Sequence, residues 1–116
     1  MKIPKEFTAK AKKVIRERSG GMCEGCAKVR ASHLHHRLYK SRGGRGNVAN
    51  GLAVCGMGNS AGCHGAAHSL FGEQQGWSIR SGFDPLKVPV SHAAYGLILF
   101  DDLGGFEATN AYGVAY

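Results

Sequence analysis

The chain has 116 residues, which is the length of one domain, and its 18 glycines against 3 prolines favour a loop-rich fold over a helical bundle. No segment reaches the roughly 18 apolar residues needed to span a bilayer, and the first residues lack the apolar stretch of a signal peptide, so we expect a cytoplasmic protein. The formal net charge of +7 indicates an anionic partner.

The predicted elements are short helices and extended segments. Apolar residues at helical spacing predict a basic helix over residues 6–18, ended by Ser19-Gly20-Gly21, and a second helix is predicted over residues 63–75. Predicted extended segments cover residues 29–39, 50–55, 77–79 and 95–100. Predicted turns cover residues 41–47 and 101–105, and we expect the last residues to be poorly ordered.

This order of elements predicts an α+β fold with an N-terminal basic helix. We expect a single domain over residues 1–116, with a core at about residues 14–76 and a C-terminal β extension at about residues 77–116. The sequence contains no internal repeat and no convincing linker, so the extension is treated as part of the same domain.

The positive charge is concentrated at the start of the chain. Residues 1–45 contain thirteen of the fifteen Lys and Arg residues and three of the eight acidic residues, which gives this part a net charge of +10 and the remainder −3. This asymmetry predicts that one half of the molecule binds nucleic acid, with an affinity that depends on salt. The alternative is a solvated basic helix that only aids solubility.

Four cysteines flank the histidine-rich segment in two pairs. Cys23 and Cys26 form a CxxC turn, which is a strong zinc signal, whereas seven residues separate Cys55 from Cys63. In the reducing cytosol such cysteines are more often metal ligands than disulfides. We therefore predict one structural zinc held by all four thiolates, with disulfides or unpaired buried thiols as alternatives.

The spacing of four histidines suggests a second metal site with chemistry of its own. His64 and His68 are four residues apart, so on a helix they share one face and can bind one ion. The adjacent pair His35-His36 lies on a predicted extended segment, where neighbouring rings point to opposite sides. One ring would complete the metal site and the other would be free to transfer a proton, which indicates a metal-dependent hydrolase.

These residues, in this order, resemble the HNH endonucleases of the ββα-metal, or His-Me finger, group. The resemblance covers residues 14–69, about half of the chain, and the cysteines are similar to those of zinc-stapled HNH proteins from bacteriophages and prophages. Many members carry Asp-His at the first pair, so His35 stands where aspartate is common. The motif residues are His35-His36, Ser41-Arg42-Gly43-Gly44, Asn50, Cys63-His64 and His68.

The resemblance assigns a role to each position. His36 would be the general base, and the side-chain carbonyl of Asn50 would accept the other ring N–H of His36. His35, His64 and His68 would bind one catalytic divalent ion, which could be Mg²⁺, Mn²⁺, Ni²⁺ or Zn²⁺. Positively charged side chains would hold the flanking phosphates of DNA: Arg37, Lys40, Arg42 and Arg45.

The resemblance therefore implies a ββα-metal core that hydrolyses phosphodiester bonds in DNA to 5′-phosphate and 3′-hydroxyl products. It also implies a phage or prophage protein in the bacterial cytoplasm, linked to genome packaging with the terminase. The alternative function is a non-catalytic, zinc-stapled nucleic-acid-binding module. His33 is expected to be a bystander and His92 to lie outside the site.

Overall fold

The computed structural model describes residues 3–56 and 61–110, and it confirms the predicted α+β class. Two 3₁₀ turns, Lys40–Arg42 and Val48–Asn50, connect the first two strands. The helices are α1 (Ala9–Ser19), α2 (Gly62–Ala67) and α3 (Leu70–Gln74). The strands are β1 (His33–His36), β2 (Gly51–Val54), β3 (Val90–His92), β4 (Gly96–Phe100) and β5 (Phe106–Ala108).

Helix α1 begins three residues later than predicted because Thr8 caps it. The Thr8 hydroxyl accepts a hydrogen bond from the backbone N–H of Ala11 at 3.1 Å, which satisfies one of the free donors of the first turn. The helix ends as predicted, at Gly20 in the left-handed conformation with φ 64°. Its apolar face contributes to a small core formed by Phe7, Ala11, Ile15, Val48 and Ala53.

Strands β1 and β2 form an antiparallel pair in which His33 lies opposite Val54 and His36 opposite Gly51. All four residues of β2 are buried, and the strand packs against α1. A Cβ atom at Gly51 would lie 2.3 Å from Cδ1 of Ile15, so a larger residue there would require the Ile15 side chain to shift. On the other side of β2 lies the larger core, which includes Leu52, Val54, Ala67, Trp77, Val90, Ile98 and Phe100.

The prediction of one helix over residues 63–75 is wrong, because two short helices occupy this segment. Helix α2 ends at Ala67, and Ser69 then caps α3 by accepting a hydrogen bond from Gly72 N at 3.3 Å. A Cβ at Gly72 would lie 2.5 Å from Ala67 Cα, so the glycine lets α3 fold back against α2. A serine that caps a new helix and a glycine at the crossing explain the break.

The C-terminal β extension is a three-stranded antiparallel sheet with strand order β3-β4-β5. Strand β4 matches the predicted strand at residues 95–100. The predicted turn at residues 101–105 is present, with Asp101 accepting hydrogen bonds from Leu103 N and Gly105 N. The predicted strand at residues 77–79 is wrong, because Ile79 makes only an isolated bridge to Leu38.

Two further predictions concern the chain ends and membranes. The expected disorder of the last residues falls on residues 111–116, which lie outside the described residues. Among residues 3–56 and 61–110, no helix has both the length and the apolar character that a membrane span requires.

Candidate metal centres and the cleft beside them

The four cysteines converge, as the sequence predicted. Their sulfur atoms all lie within 4.8 Å of one another, and Sγ of Cys26 is 4.0 Å from Sγ of Cys55. A tetrahedral zinc with Zn–S bonds of about 2.3 Å would hold its sulfurs about 3.8 Å apart. None of the four cysteines forms a disulfide. The cluster can therefore hold a structural metal such as zinc.

Close backbone packing explains how the seven-residue spacing of Cys55 and Cys63 still brings both sulfurs to the cluster. Gly56 and Gly62 have φ angles of 97° and 58°, and a Cβ on Gly56 would lie 2.9 Å from Gly62 Cα. The chain therefore folds back on itself, and Cys63 N donates to Sγ of Cys55 at 3.4 Å. Gly25 is equally constrained, because a Cβ there would lie 3.0 Å from Sγ of Cys63.

The thiols of the cluster differ in their readiness to ionise. The backbone N–H of Lys28 lowers the pKa of Cys26 to about 7, whereas burial raises the pKa of Cys23 and of Cys63. Burial disfavours the charged thiolate when no cation is near. A bound cation would offset this by stabilising the thiolate form. The donor set therefore fits a thiophilic metal.

A second group consists of His35, His64 and His68. Their ligand nitrogens all lie within 4.8 Å of one another. The Nε2 atoms of His64 and His68 are 3.4 Å apart, close to the roughly 3.3 Å between two nitrogens bound to one zinc. His35 comes from β1, His64 from α2, and His68 from the C-cap position that directly follows α2. The predicted i, i+4 relation therefore holds although the helix stops at Ala67.

His35 is buried and is held in one tautomer. Its Nε2 atom lies 2.7 Å from the carbonyl oxygen of Trp77, and because a carbonyl only accepts, Nε2 carries the proton and Nδ1 keeps its lone pair. Burial lowers the pKa of His35 to about 3, with His68 and His64 acting in the same direction. The ring is therefore neutral at physiological pH, which is the form that binds metals, and a carbonyl behind a ligand histidine is the usual orienting partner.

The three histidines line an open cavity of about 370 Å³ that His36 also lines. Leu34, Tyr39 and Lys40 complete its wall. His35 is buried, His64 is half-buried and His68 is exposed, so the group reaches from the core to solvent. Three protein ligands with an open side are typical of catalytic rather than structural metal sites.

His36 is half-buried and is oriented by the N-terminal segment rather than by Asn50. Its Nε2 atom is 2.7 Å from the carbonyl oxygen of Lys5, which fixes the proton on Nε2 and leaves the Nδ1 lone pair available in the neutral ring. The Phe7 ring stacks on the imidazole with 4.2 Å between centroids. Every residue carries a backbone carbonyl, so the sequence could not indicate that Lys5 is the partner of His36.

The prediction of a hydrogen bond from His36 to Asn50 is wrong. Oδ1 of the fully buried Asn50 accepts from Leu38 N at 2.7 Å, and Nδ2 donates to the carbonyls of Leu38 and Arg45. Asn50 therefore ties the end of β1 to the loop that precedes β2. These bonds hold the backbone at the end of β1, the strand that carries His35 and His36.

Arg37 was predicted to contact phosphate, and its burial contradicts this role. The side chain has 0% exposure, and its guanidinium donates to four backbone carbonyls, of Gly76, Ala49, Pro85 and Val88. Burial lowers the pKa of Arg37 to about 9, which still leaves it charged at neutral pH.

The remaining predicted phosphate contacts are exposed but differ in their surroundings. Lys40 lies beside His36 and pairs with Glu6 at 2.8 Å. Arg42 stacks on the Tyr39 ring at 4.4 Å and donates to the carbonyl of Ile79 at 2.9 Å. Arg45 is exposed on the loop before β2 and lies outside the cavities that His36 lines.

The other two histidines lie in different environments. His33 stacks on His64 with 5.0 Å between centroids and stands outside the group of three. His92 is buried in the C-terminal sheet, where its Nε2 lies 2.8 Å from Glu24, as expected for a residue outside the site. Glu24 also pairs with Arg18, at 2.7 Å, with both side chains fully buried. This network was not predicted, and His92 lies 68 residues from Glu24 in the sequence.

A scan against protein-family models gave no match, and neither did searches of curated proteins and of solved structures.

Proposed function

We propose that this protein is a metal-dependent DNA endonuclease of the HNH type, with β1, β2 and α2 as its ββα-metal core. The observation that carries the proposal is the meeting of three histidine nitrogens within 4.8 Å on the wall of a cavity that a fourth histidine, His36, also lines. An antiparallel pair of strands followed by a helix supplies all four side chains. The reaction would be hydrolysis of a phosphodiester bond.

His35, His64 and His68 would hold the catalytic divalent ion. When bound, such an ion supplies positive charge to the phosphate oxygens and to the leaving 3′-oxygen, where negative charge develops. Three imidazoles suit Zn²⁺ or Ni²⁺ better than Mg²⁺ or Mn²⁺, which prefer oxygen ligands. The donor set therefore favours Zn²⁺ and Ni²⁺ among the four ions that the sequence suggested.

His36 would act as the general base through Nδ1. The Lys5 carbonyl holds the proton on Nε2, so the free lone pair of Nδ1 accepts a proton from the attacking water. The resulting hydroxide attacks phosphorus and the bond to the 3′-oxygen breaks. The leaving 3′-oxygen takes a proton from solvent water, and the products are a 5′-phosphate and a 3′-hydroxyl. Phe7 limits rotation of the ring by stacking on it. Asn50 and Arg37 would act indirectly, by fixing the backbone at the end of β1.

The cysteine cluster would have a structural role. Four thiolates complete the tetrahedral coordination of zinc and leave no position for substrate. Cys63 lies on α2 directly before His64, so a zinc at the cysteines would also fix the start of the helix that carries the catalytic ligands.

A plasmid assay tests the proposal. Purified protein is incubated with supercoiled plasmid and, in turn, Mg²⁺, Mn²⁺, Ni²⁺ and Zn²⁺, and open-circular and linear products are separated to distinguish nicking from double-strand cleavage. His36→Ala should reduce cleavage by about 10²–10⁴-fold, the usual contribution of a general base. Circular dichroism and zinc content should stay unchanged. Ser81→Ala is the matched control, because Ser81 is exposed and lines neither of the cavities that His36 lines.

Equal cleavage by His36→Ala and the parent protein would refute the role of His36. A metal count separates the nuclease from a zinc-stapled binding module. One tightly held zinc, no second exchangeable ion and no cleavage with any of the four metals would favour the module. Cytoplasmic location, phage origin and the link to the terminase stay predictions from the resemblance.

A further inference from the structure

Three cavities adjoin one another along β1. One of about 400 Å³ lies between α1, the N-terminal segment and β1, and its lining includes Lys12, Arg16, His36 and Lys40. A second, of about 260 Å³, shares Arg16, Ser32, His33 and Leu34 with the first and adds Arg30. The histidine cavity described above shares Leu34, His36 and Lys40 with the first. Together they form one continuous depression.

We name this depression the α1–β1 trough and define it by Lys12, Arg16, Arg30, His36 and Lys40. Four of these side chains are cationic, and Glu6 is the one acidic residue that lines any of the three cavities. Glu6 is already paired with Lys40 at 2.8 Å, so the field of Lys12, Arg16 and Arg30 is left unbalanced. A concave surface lined by one sign of charge concentrates ligands of the opposite sign.

The position of the cations on α1 explains the trough. Lys12 and Arg16 are four residues apart and therefore share one face of the helix. Lys10 and Lys13 lie on other faces: Lys10 lines a separate cavity with Val14 and Asp102, and Lys13 lies 4.0 Å from Glu17. The same helix thus carries two cations in the trough and three outside it, the third being Arg18, which is buried against Glu24.

We infer that the α1–β1 trough is the path of the DNA strand, with Lys12, Arg16 and Arg30 contacting successive phosphates upstream or downstream of the bond that faces His36. This inference rests on the proposed function. It keeps Lys40, which lines the trough, and replaces the other three phosphate contacts that the sequence suggested. Arg37 is buried, Arg42 is bound to Tyr39 and Ile79, and Arg45 lies outside the trough. The strand therefore runs along α1 rather than over the loop at residues 42–45.

Binding measurements test the path without depending on cleavage. All variants are made in the His36→Ala background, and the Kd for a fluorescein-labelled DNA is measured by anisotropy between 50 and 200 mM salt. Lys12→Gln with Arg16→Gln should weaken binding by about tenfold or more, and should reduce the slope of log K against log salt by about 2, one for each lost phosphate contact. Lys10→Gln with Lys13→Gln removes the same charge from the same helix and should leave the slope nearly unchanged.

The outcomes separate this inference from the proposed function. Equal losses of DNA affinity in the two double variants would show that the cations act only by general electrostatic attraction. That result would overturn the proposed path. A loss confined to Arg42→Gln with Arg45→Gln would place the strand over the loop and overturn it as well. If the parent protein cuts no DNA with any metal while Lys12 and Arg16 still govern binding, the nuclease function fails and the binding path stands.

Discussion

Replacing Glu24 by alanine would test whether one buried carboxylate joins the N-terminal helix, the cysteine turn and the C-terminal sheet. Its oxygens accept hydrogen bonds from Arg18 at 2.9 and 2.7 Å, from Ala53 N at 2.9 Å and from His92 at 2.8 Å. These partners keep the pKa of Glu24 below its ordinary value although burial raises it. The substitution would leave the Arg18 guanidinium buried without a counterion.

Removing one partner of a buried ion pair costs about 3–5 kcal/mol. For 116 residues the whole free energy of unfolding is about 6–17 kcal/mol, so this one contact is a large part of it. The unfolding entropy of a chain of this length is about 0.24 kcal/mol/K, which converts the loss into a fall in Tm of about 12–20 °C.

Thermal and urea unfolding of the zinc-loaded protein, followed by circular dichroism, would measure the change. Glu17→Ala is the matched control, because Glu17 lies on the same part of the chain but pairs with Lys13 at 4.0 Å with both side chains exposed. An exposed pair of this kind contributes less than about 1 kcal/mol. A Glu24→Ala protein within about 1 kcal/mol of the parent would refute the reasoning.

Two further predictions concern the metal cluster and the orientation of His36. Cys26→Ala should lower the zinc content below one ion per chain by mass spectrometry and unfold much of the protein at 37 °C, since structural zinc supplies folding free energy in small domains; a fully folded, zinc-free variant would contradict this. Phe7→Leu keeps the site apolar but removes the ring stacked on His36, so cleavage should fall by roughly 10- to 100-fold while Tm changes little. Phe83→Leu, an exposed phenylalanine, is its control, and equal rates in the two variants would show that the stack does not position the base.

Local spacing predicted which ligands meet. An i, i+4 pair of histidines and a CxxC turn bring their side chains together through the geometry of a few residues, so His64 with His68 and Cys23 with Cys26 could be paired from sequence. Alternation along a strand likewise separated His35, which is buried, from His36, which is half-buried. These inferences needed only the conformation of the local chain.

The sequence could not predict interactions that depend on which distant backbone lies nearby. Arginine is usually a surface residue, but the fold surrounds Arg37 with carbonyls from three separate segments. Asn50 bonds to the backbone of Leu38 instead of a histidine ring, and the Lys5 carbonyl takes the place that Asn50 was expected to fill. In each case a main-chain carbonyl or N–H is the partner, and every residue type except proline offers both groups.

The candidate histidine centre depends on the cysteine cluster through α2 and Trp77. Cys63 and His64 are consecutive residues of α2, so a metal at the cysteines restrains the first turn from which His64 projects. Trp77 contacts the cysteine turn, since a Cβ on Gly25 would lie 3.1 Å from its ring, while its carbonyl orients His35. The dependence runs one way: His68 is exposed and an ion there could exchange without moving the core, whereas loss of a metal from the cysteines would free both elements that place the histidines. In a chain this short, with a limited core, a metal at the cysteine cluster would help to fix the geometry of the histidines next to it.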